Sequence, residues 1–145
     1  MITRSNPNTV FLGGERVQVN DLACSEVLTP GHLLERSNNG GIIRMKKHAT
    51  AAGGGPALVC TEHSMANKGV DDTYAINDLV EASVLAPGAT AWMFIASGQN
   101  IAAGNKLESA GDGTLRIFGS GVVLFTASEN KPNVVVQTRI RVEAV

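Results

Sequence analysis

The sequence predicts an all-β protein, a small barrel or sandwich with an N-terminal arm and little helix. Three observations carry this. Sixteen glycines punctuate the 145 residues, and apolar residues fall in short runs between turn signals. An apolar period of 3.6 never persists for three turns. The third observation is a unit used twice, Pro30-Gly31-His32-Leu33-Leu34-Glu35 and Ala103-Gly104-Asn105-Lys106-Leu107-Glu108. Each copy is a Gly-x-x-Leu-Glu turn (Gly31, Leu34, Glu35 and Gly104, Leu107, Glu108). Each is followed by a second turn and an apolar stretch carrying an arginine, Asn38-Asn39-Gly40-Gly41-Ile42-Ile43-Arg44 and Gly111-Asp112-Gly113-Thr114-Leu115-Arg116. Glycine permits the tight entry, the leucine points into a core and the second turn reverses the chain. The reused unit is therefore a β-hairpin.

The elements follow in order. Residues 1–20 are polar and Asn-rich, interrupted by Pro7 and Gly13-Gly14, and carry two strand-like patches at Val10-Phe11-Leu12 and Val17-Gln18-Val19. A free polar tail needs no such patches, so Val10, Phe11, Leu12, Val17 and Val19 are expected to dock the arm onto the rest of the fold or onto a neighbouring subunit. Residues 21–145 form a single β-rich domain. Strands are expected at Ile42-Ile43-Arg44-Met45, at residues 57–61, 79–85, 90–95 and 122–127, and most clearly at residues 134–142. There Val134, Val136, Thr138, Ile140 and Val142 share one face, and Gln137, Arg139 and Arg141 the other. A single helical turn is expected around residues 62–67. Gly53-Gly54-Gly55-Pro56, Pro87-Gly88 and Lys131-Pro132-Asn133 mark connections.

Composition excludes several functions. Apolar residues make up 43% and aromatics 4%, so a core is affordable but stacking platforms for single-stranded nucleic acid or sugars are scarce. The net charge is −1, and no dense basic patch extends beyond Arg44-Met45-Lys46-Lys47. No nucleic-acid partner is expected. No run approaches the ~18 apolar residues of a membrane span, and Met1-Ile2-Thr3-Arg4-Ser5-Asn6 lacks a signal-peptide core. A soluble protein made in a reducing cytoplasm is expected, with Cys24 and Cys60 buried and reduced in their short apolar contexts.

The residues that could carry reaction chemistry lack the partners it needs. The glycines at 53–55 are followed by Pro56 and a strand-like run, whereas a phosphate loop needs Lys-Ser/Thr and a helix. His32, His48 and His63 show no metal-ligand spacing; Cys60 and His63, with Cys24, fall short of four convergent ligands. Ser64 beside His63 is adjacency without geometry. Asp71-Asp72 is an adjacent carboxylate pair that reads as a solvated turn cap. Glu35 and Glu108 are equivalent, and are expected to accept turn N–H groups or to pair with an arginine such as Arg44 or Arg116. No catalytic residue, cofactor or metal is expected.

The segments Leu28-Thr29-Pro30-Gly31-His32-Leu33-Leu34-Glu35, His48-Ala49-Thr50-Ala51-Ala52-Gly53, Lys68-Gly69-Val70-Asp71-Asp72-Thr73-Tyr74, residues 98–109, Gly111-Asp112-Gly113-Thr114-Leu115-Arg116 and Arg139-Ile140-Arg141-Val142 resemble the capsid decoration (cement) proteins of tailed bacteriophages over about two-thirds of the chain. Asn77-Asp78-Leu79-Val80 departs from the Gly-Asp-x-Val expected there, which weakens a third copy of the turn. The resemblance implies a small β-barrel or β-tulip-like domain that sits as a homotrimer on the capsid exterior, made in the host bacterial cytoplasm. It implies binding to the major capsid protein where its copies meet, holding an expanded head against internal DNA pressure. Deleting residues 1–20 is then expected to leave a folded protein that binds capsids weakly. A carbohydrate- or host-surface-binding β-module is the alternative, and a trimeric β-rich enzyme using Asp71 and Asp72 a further one.

Overall fold

The computed structural model describes residues 6–145; the first five residues of the expected arm lie outside them. The described residues form eleven strands and one 3₁₀ turn: β1 (Phe11–Gly13), β2 (Arg16–Val19), β3 (Leu34–Asn39), β4 (Ile42–Lys47), β5 (Leu58–Cys60), η1 (Ser64–Ala66), β6 (Ala82–Leu85), β7 (Thr90–Ile95), β8 (Lys106–Ser109), β9 (Leu115–Ile117), β10 (Phe125–Ala127) and β11 (Thr138–Ala144). Five strands in the order β7-β11-β10-β8-β9 close into a small barrel, sealed by a parallel pairing of β9 with β7 at Ile95 and Leu115. The all-β barrel class is thus as expected from the sequence.

Both strand-like patches of the arm enter the sheets of the chain's own fold. β1 runs antiparallel to β7, with Phe11 opposite Ala91, and β2 pairs antiparallel with β6 in a three-stranded sheet completed by β5. The β3–β4 hairpin forms a separate two-stranded sheet closed at Gly40 and Gly41, where Asn39 pairs with Ile42.

Two cores result. Inside the barrel lie Val10, Met93, Ile95, Leu107, Leu115, Phe125, Ile140 and Val142. A second core holds Cys24, Leu28, Leu34, Met45, Leu58, Cys60, Tyr74 and Val80. Extended backbone sends successive side chains to opposite faces. Leu33 and Val59, which bridge to one another, therefore point into the barrel, while their neighbours Leu34, Leu58 and Cys60 point into the second core. This short layer divides the molecule.

Three expected strands are shorter than the apolar runs that suggested them. β11 begins only at Thr138. Val134 is buried in the barrel, but Val135 and Val136 are 83% and 70% exposed. Upstream, Asn133 takes a left-handed φ of 54°, and Val134 exchanges backbone hydrogen bonds with Gly98 and Gln99 instead of joining the ladder. Likewise β6 begins at Ala82 and β10 at Phe125, which leaves Leu79 and Val122 exposed. The expected helical turn is η1, terminated by Asn67 in the left-handed region.

Candidate functional site

The repeated turn has a defined geometry. In Thr29-Pro30-Gly31-His32 the His32 N–H donates to the Thr29 carbonyl at 3.2 Å, and Gly31 has a φ of 103°. In Ala102-Ala103-Gly104-Asn105 the corresponding bond is 3.0 Å and Gly104 has a φ of 91°. These are type II turns, with positive φ at the third residue. The fourth side chain closes each one from the other side. His32 Nδ1 accepts the Thr29 N–H at 3.3 Å, and Asn105 Oδ1 accepts the Ala102 N–H at 2.8 Å.

A third copy exists at Ala75-Ile76-Asn77-Asp78, against the expectation from sequence. Asn77 takes the glycine position at φ 75°, the Asp78 N–H donates to Ala75 O at 3.0 Å, and Asp78 Oδ2 accepts the Ala75 N–H at 2.9 Å. Asparagine tolerates this backbone region better than most residues, so the turn survives where the Gly-x-x-Leu-Glu spelling does not. Val80 and Glu81 then stand where Leu34-Glu35 and Leu107-Glu108 stand, and all three apolar side chains are buried.

Each of the three glutamates meets a basic side chain, but their further partners differ. Glu35 lies opposite Lys46 on the β3–β4 ladder and pairs with it at 3.1 Å. Glu108 lies opposite Arg116 on the β8–β9 ladder at 3.8 Å and accepts the Gly119 N–H. Glu81 accepts the N–H and hydroxyl of Ser64 and sits 3.9 Å from His63. Arg44 is not a partner of Glu35; it bonds Asn77. The two-residue turn at Gly40-Gly41 sets this register, so Lys46 was readable from sequence. Glu81 was missed because Asn77 disguises the turn before it.

His48 joins the first two copies of the unit. Its Nδ1 is 2.7 Å from Ser109 Oγ on β8, its Nε2 is 3.1 Å from the Gly54 carbonyl, and Glu35 Oε2 lies 3.8 Å from Nε2. A carbonyl can only accept, so the neutral ring carries its proton on Nε2 and Nδ1 accepts the Ser109 hydroxyl proton. The serine, imidazole and carboxylate stand in the order of a hydrolytic relay. However, Ser109 is 0% exposed, and its Oγ also accepts the Gly111 N–H. The group is a polar clasp between two hairpins.

On the outer barrel wall Arg139 gathers several of the segments singled out in the sequence. Its Nε donates to Pro30 O at 3.0 Å, Nη1 to Asp71 Oδ1 at 2.9 Å and Nη2 to Val70 O, with the guanidinium 4.4 Å above the Phe94 ring. Asp72 accepts the Gly69 N–H at 2.7 Å, a turn closure like those above. Asp71 and Asp72 therefore serve different partners.

Burial pushes the pKa of His32 down to about 4, helped by nearby Lys47; its ring packs tilted against Phe94, with centroids 4.8 Å apart. Cys24 and Cys60 are buried and unpaired, and burial raises both thiols. Among the described residues no cluster of His, Cys, Asp or Glu is arranged to hold a metal. Among the arm positions, Val10 is in the barrel core, Phe11 packs against it, Val19 packs against the second core and Val17 is 67% exposed. Glu62 fastens the arm by accepting the Thr9 hydroxyl and, at 3.0 Å, the Val10 N–H.

The architecture defines a small all-β barrel built from repeated turn-and-hairpin units. No family model matches the sequence, and no curated protein matches it. Among solved structures, the fold is similar to the head fiber gp8.5 N base of bacteriophage phi29. The TM-score is 0.60 at 16% identity, and the match covers 90% of this chain and 95% of that one.

Proposed function

We propose that this chain is a structural protein of a tailed-phage head, a capsid decoration protein that binds the exterior of the expanded shell where major capsid proteins meet. In this reading it acts as a homotrimer and stabilises the shell against internal DNA pressure without catalysing a reaction. The observation that carries it is the fold likeness to a phage head fiber base over nearly the whole of both chains. Of the segments that resemble decoration proteins, residues 98–109, 111–116 and 139–142 supply barrel strands β8, β9 and part of β11, and Arg139 ties the turn at 29–32 to the barrel wall.

The chemistry supports a passive role. The arrangement of Ser109, His48 and Glu35 is buried at its serine, and in the group of Ser64, His63 and Glu81 the serine bonds the carboxylate and not the imidazole. Incubation of purified protein with expanded capsids that lack it tests the proposal. Saturable binding with raised resistance to heat or mechanical stress is expected. Absence of saturable binding, or binding that adds no resistance, overturns it.

A further inference from the structure

Two exposed surfaces of this chain are complementary. The first is the tip of the β3–β4 hairpin. From Asn38 to Ile43 every residue is exposed, including two isoleucines, Ile42 at 58% and Ile43 at 43%. The hairpin carries Arg36, Arg44, Lys46 and Lys47 against Glu35 alone. The second surface is the segment 64–79, which touches the body through buried Tyr74, whose hydroxyl donates to Thr61 O. It exposes Met65 at 86% with Ile76 and Leu79, and it carries Asp71, Asp72 and Asp78 against Lys68.

We infer that these surfaces bind each other between copies of the chain, the basic, isoleucine-tipped hairpin of one copy seating on the acidic, apolar 64–79 surface of the next. Asp72 and Asp78 give one oxygen each to a turn N–H, which leaves their charge in place. Asp71 is already paired with Arg139 and contributes less. Within one copy the hairpin reaches this segment through Arg44 and Asn77, and Ile42 and Met65 stay exposed. Exposed apolar groups rimmed by charge mark interaction sites, and opposite charge selects the partner and speeds encounter. The two patches differ, so the contact can repeat head to tail, and three such contacts closing into a ring give the arrangement a trimer needs. The inference rests on the trimer of the proposed function and assigns its junction.

The test uses the full chain, with light-scattering mass and thermal melting as the fold control. Ile42→Asp and Met65→Lys each alter one surface at a side chain that makes little contact with its own fold. Wild type is expected to associate, more weakly as salt rises, and each variant alone to be monomeric at the wild-type melting temperature. An equimolar mixture of the two variants should associate again, because one intact hairpin then meets one intact surface. A monomeric wild type, variants that associate like wild type, or a mixture that stays monomeric each overturn the inference. Capsid binding measured on the same preparations keeps the two readings apart. Monomers that bind capsids leave the decoration role standing without this junction, and assemblies that ignore capsids do the reverse.

Discussion

Arg139 and Asp71, 68 residues apart, form a 2.9 Å ion pair in which the arginine side chain is 8% exposed and the aspartate 89%. The asymmetry ranks the interactions around the guanidinium. A carboxylate so open to water adds little, since exposed pairs are worth about 0–1 kcal/mol. The bonds to the Pro30 and Val70 carbonyls and the seat over Phe94 are shielded from water. Arg139→Ala should therefore cost about 3 kcal/mol in urea unfolding, whereas Asp71→Asn should cost less than about 1 kcal/mol. Equal losses would show that the ion pair dominates.

The repeated turn makes a second comparison available. Gly104 has a φ of 91° with open space around the position of a Cβ, so Gly104→Ala carries backbone strain alone, about 1–2 kcal/mol. Gly31 has a similar φ, but a Cβ there would lie 3.0 Å from Arg139 Nε and 3.2 Å from the Phe94 ring. Gly31→Ala should lose roughly twice as much and also disturb the Arg139 network. Thermal melts of the two variants read the difference.

Much of this fold was legible because its grammar is local. Gly31 and Gly104 mark turns by a rule that needs no tertiary context, and β7 matches its apolar run from Thr90 to Ile95. Legibility failed where the backbone requirement was met by another residue. Asn77 supplies the positive φ, and Asp78 and His32 supply the closing acceptor that Asn105 supplies elsewhere. It failed again at Val135 and Val136, whose alternation looks like a strand but which follow a Val134 bonded to the 98–99 loop instead of to the ladder. The clasp of His48 with Ser109 spans 61 residues, and no spacing rule brings such a pair together.

His32 makes stability depend on pH. Its folded pKa of about 4 lies below the ordinary 6.5, with burial as the main cause and Lys47 next. The unfolded chain therefore takes up a proton at a pH where the folded one does not. The contribution of neutral His32 is complete above pH 6.5 and is lost as pH falls from 6.5 towards 4, about 3 kcal/mol in all. Asn105 closes the equivalent turn, so His32→Asn should keep the turn and flatten this part of the pH–stability curve. An unchanged slope in the variant would place the effect on another group.

The arm should prove inseparable from the domain, although its sequence suggests a detachable segment. Removing residues 1–19 takes Val10 out of the barrel core, breaks both bonds to Glu62, strips β1 from β7 and leaves β6 with an open edge where β2 paired. Loss of a buried valine alone costs about 2 kcal/mol, and two strands go with it, against a total stability of about 5–15 kcal/mol for a typical domain. The truncated chain should be largely unfolded by circular dichroism, so its failure to bind capsids would say nothing about contact. Val17 separates the two roles, because its side chain is 67% exposed on β2. Val17→Asp should change stability by less than about 0.5 kcal/mol. If the arm touches the capsid, the same variant should weaken saturable binding to expanded shells; full affinity in a folded Val17→Asp protein would confine the arm to holding the barrel together.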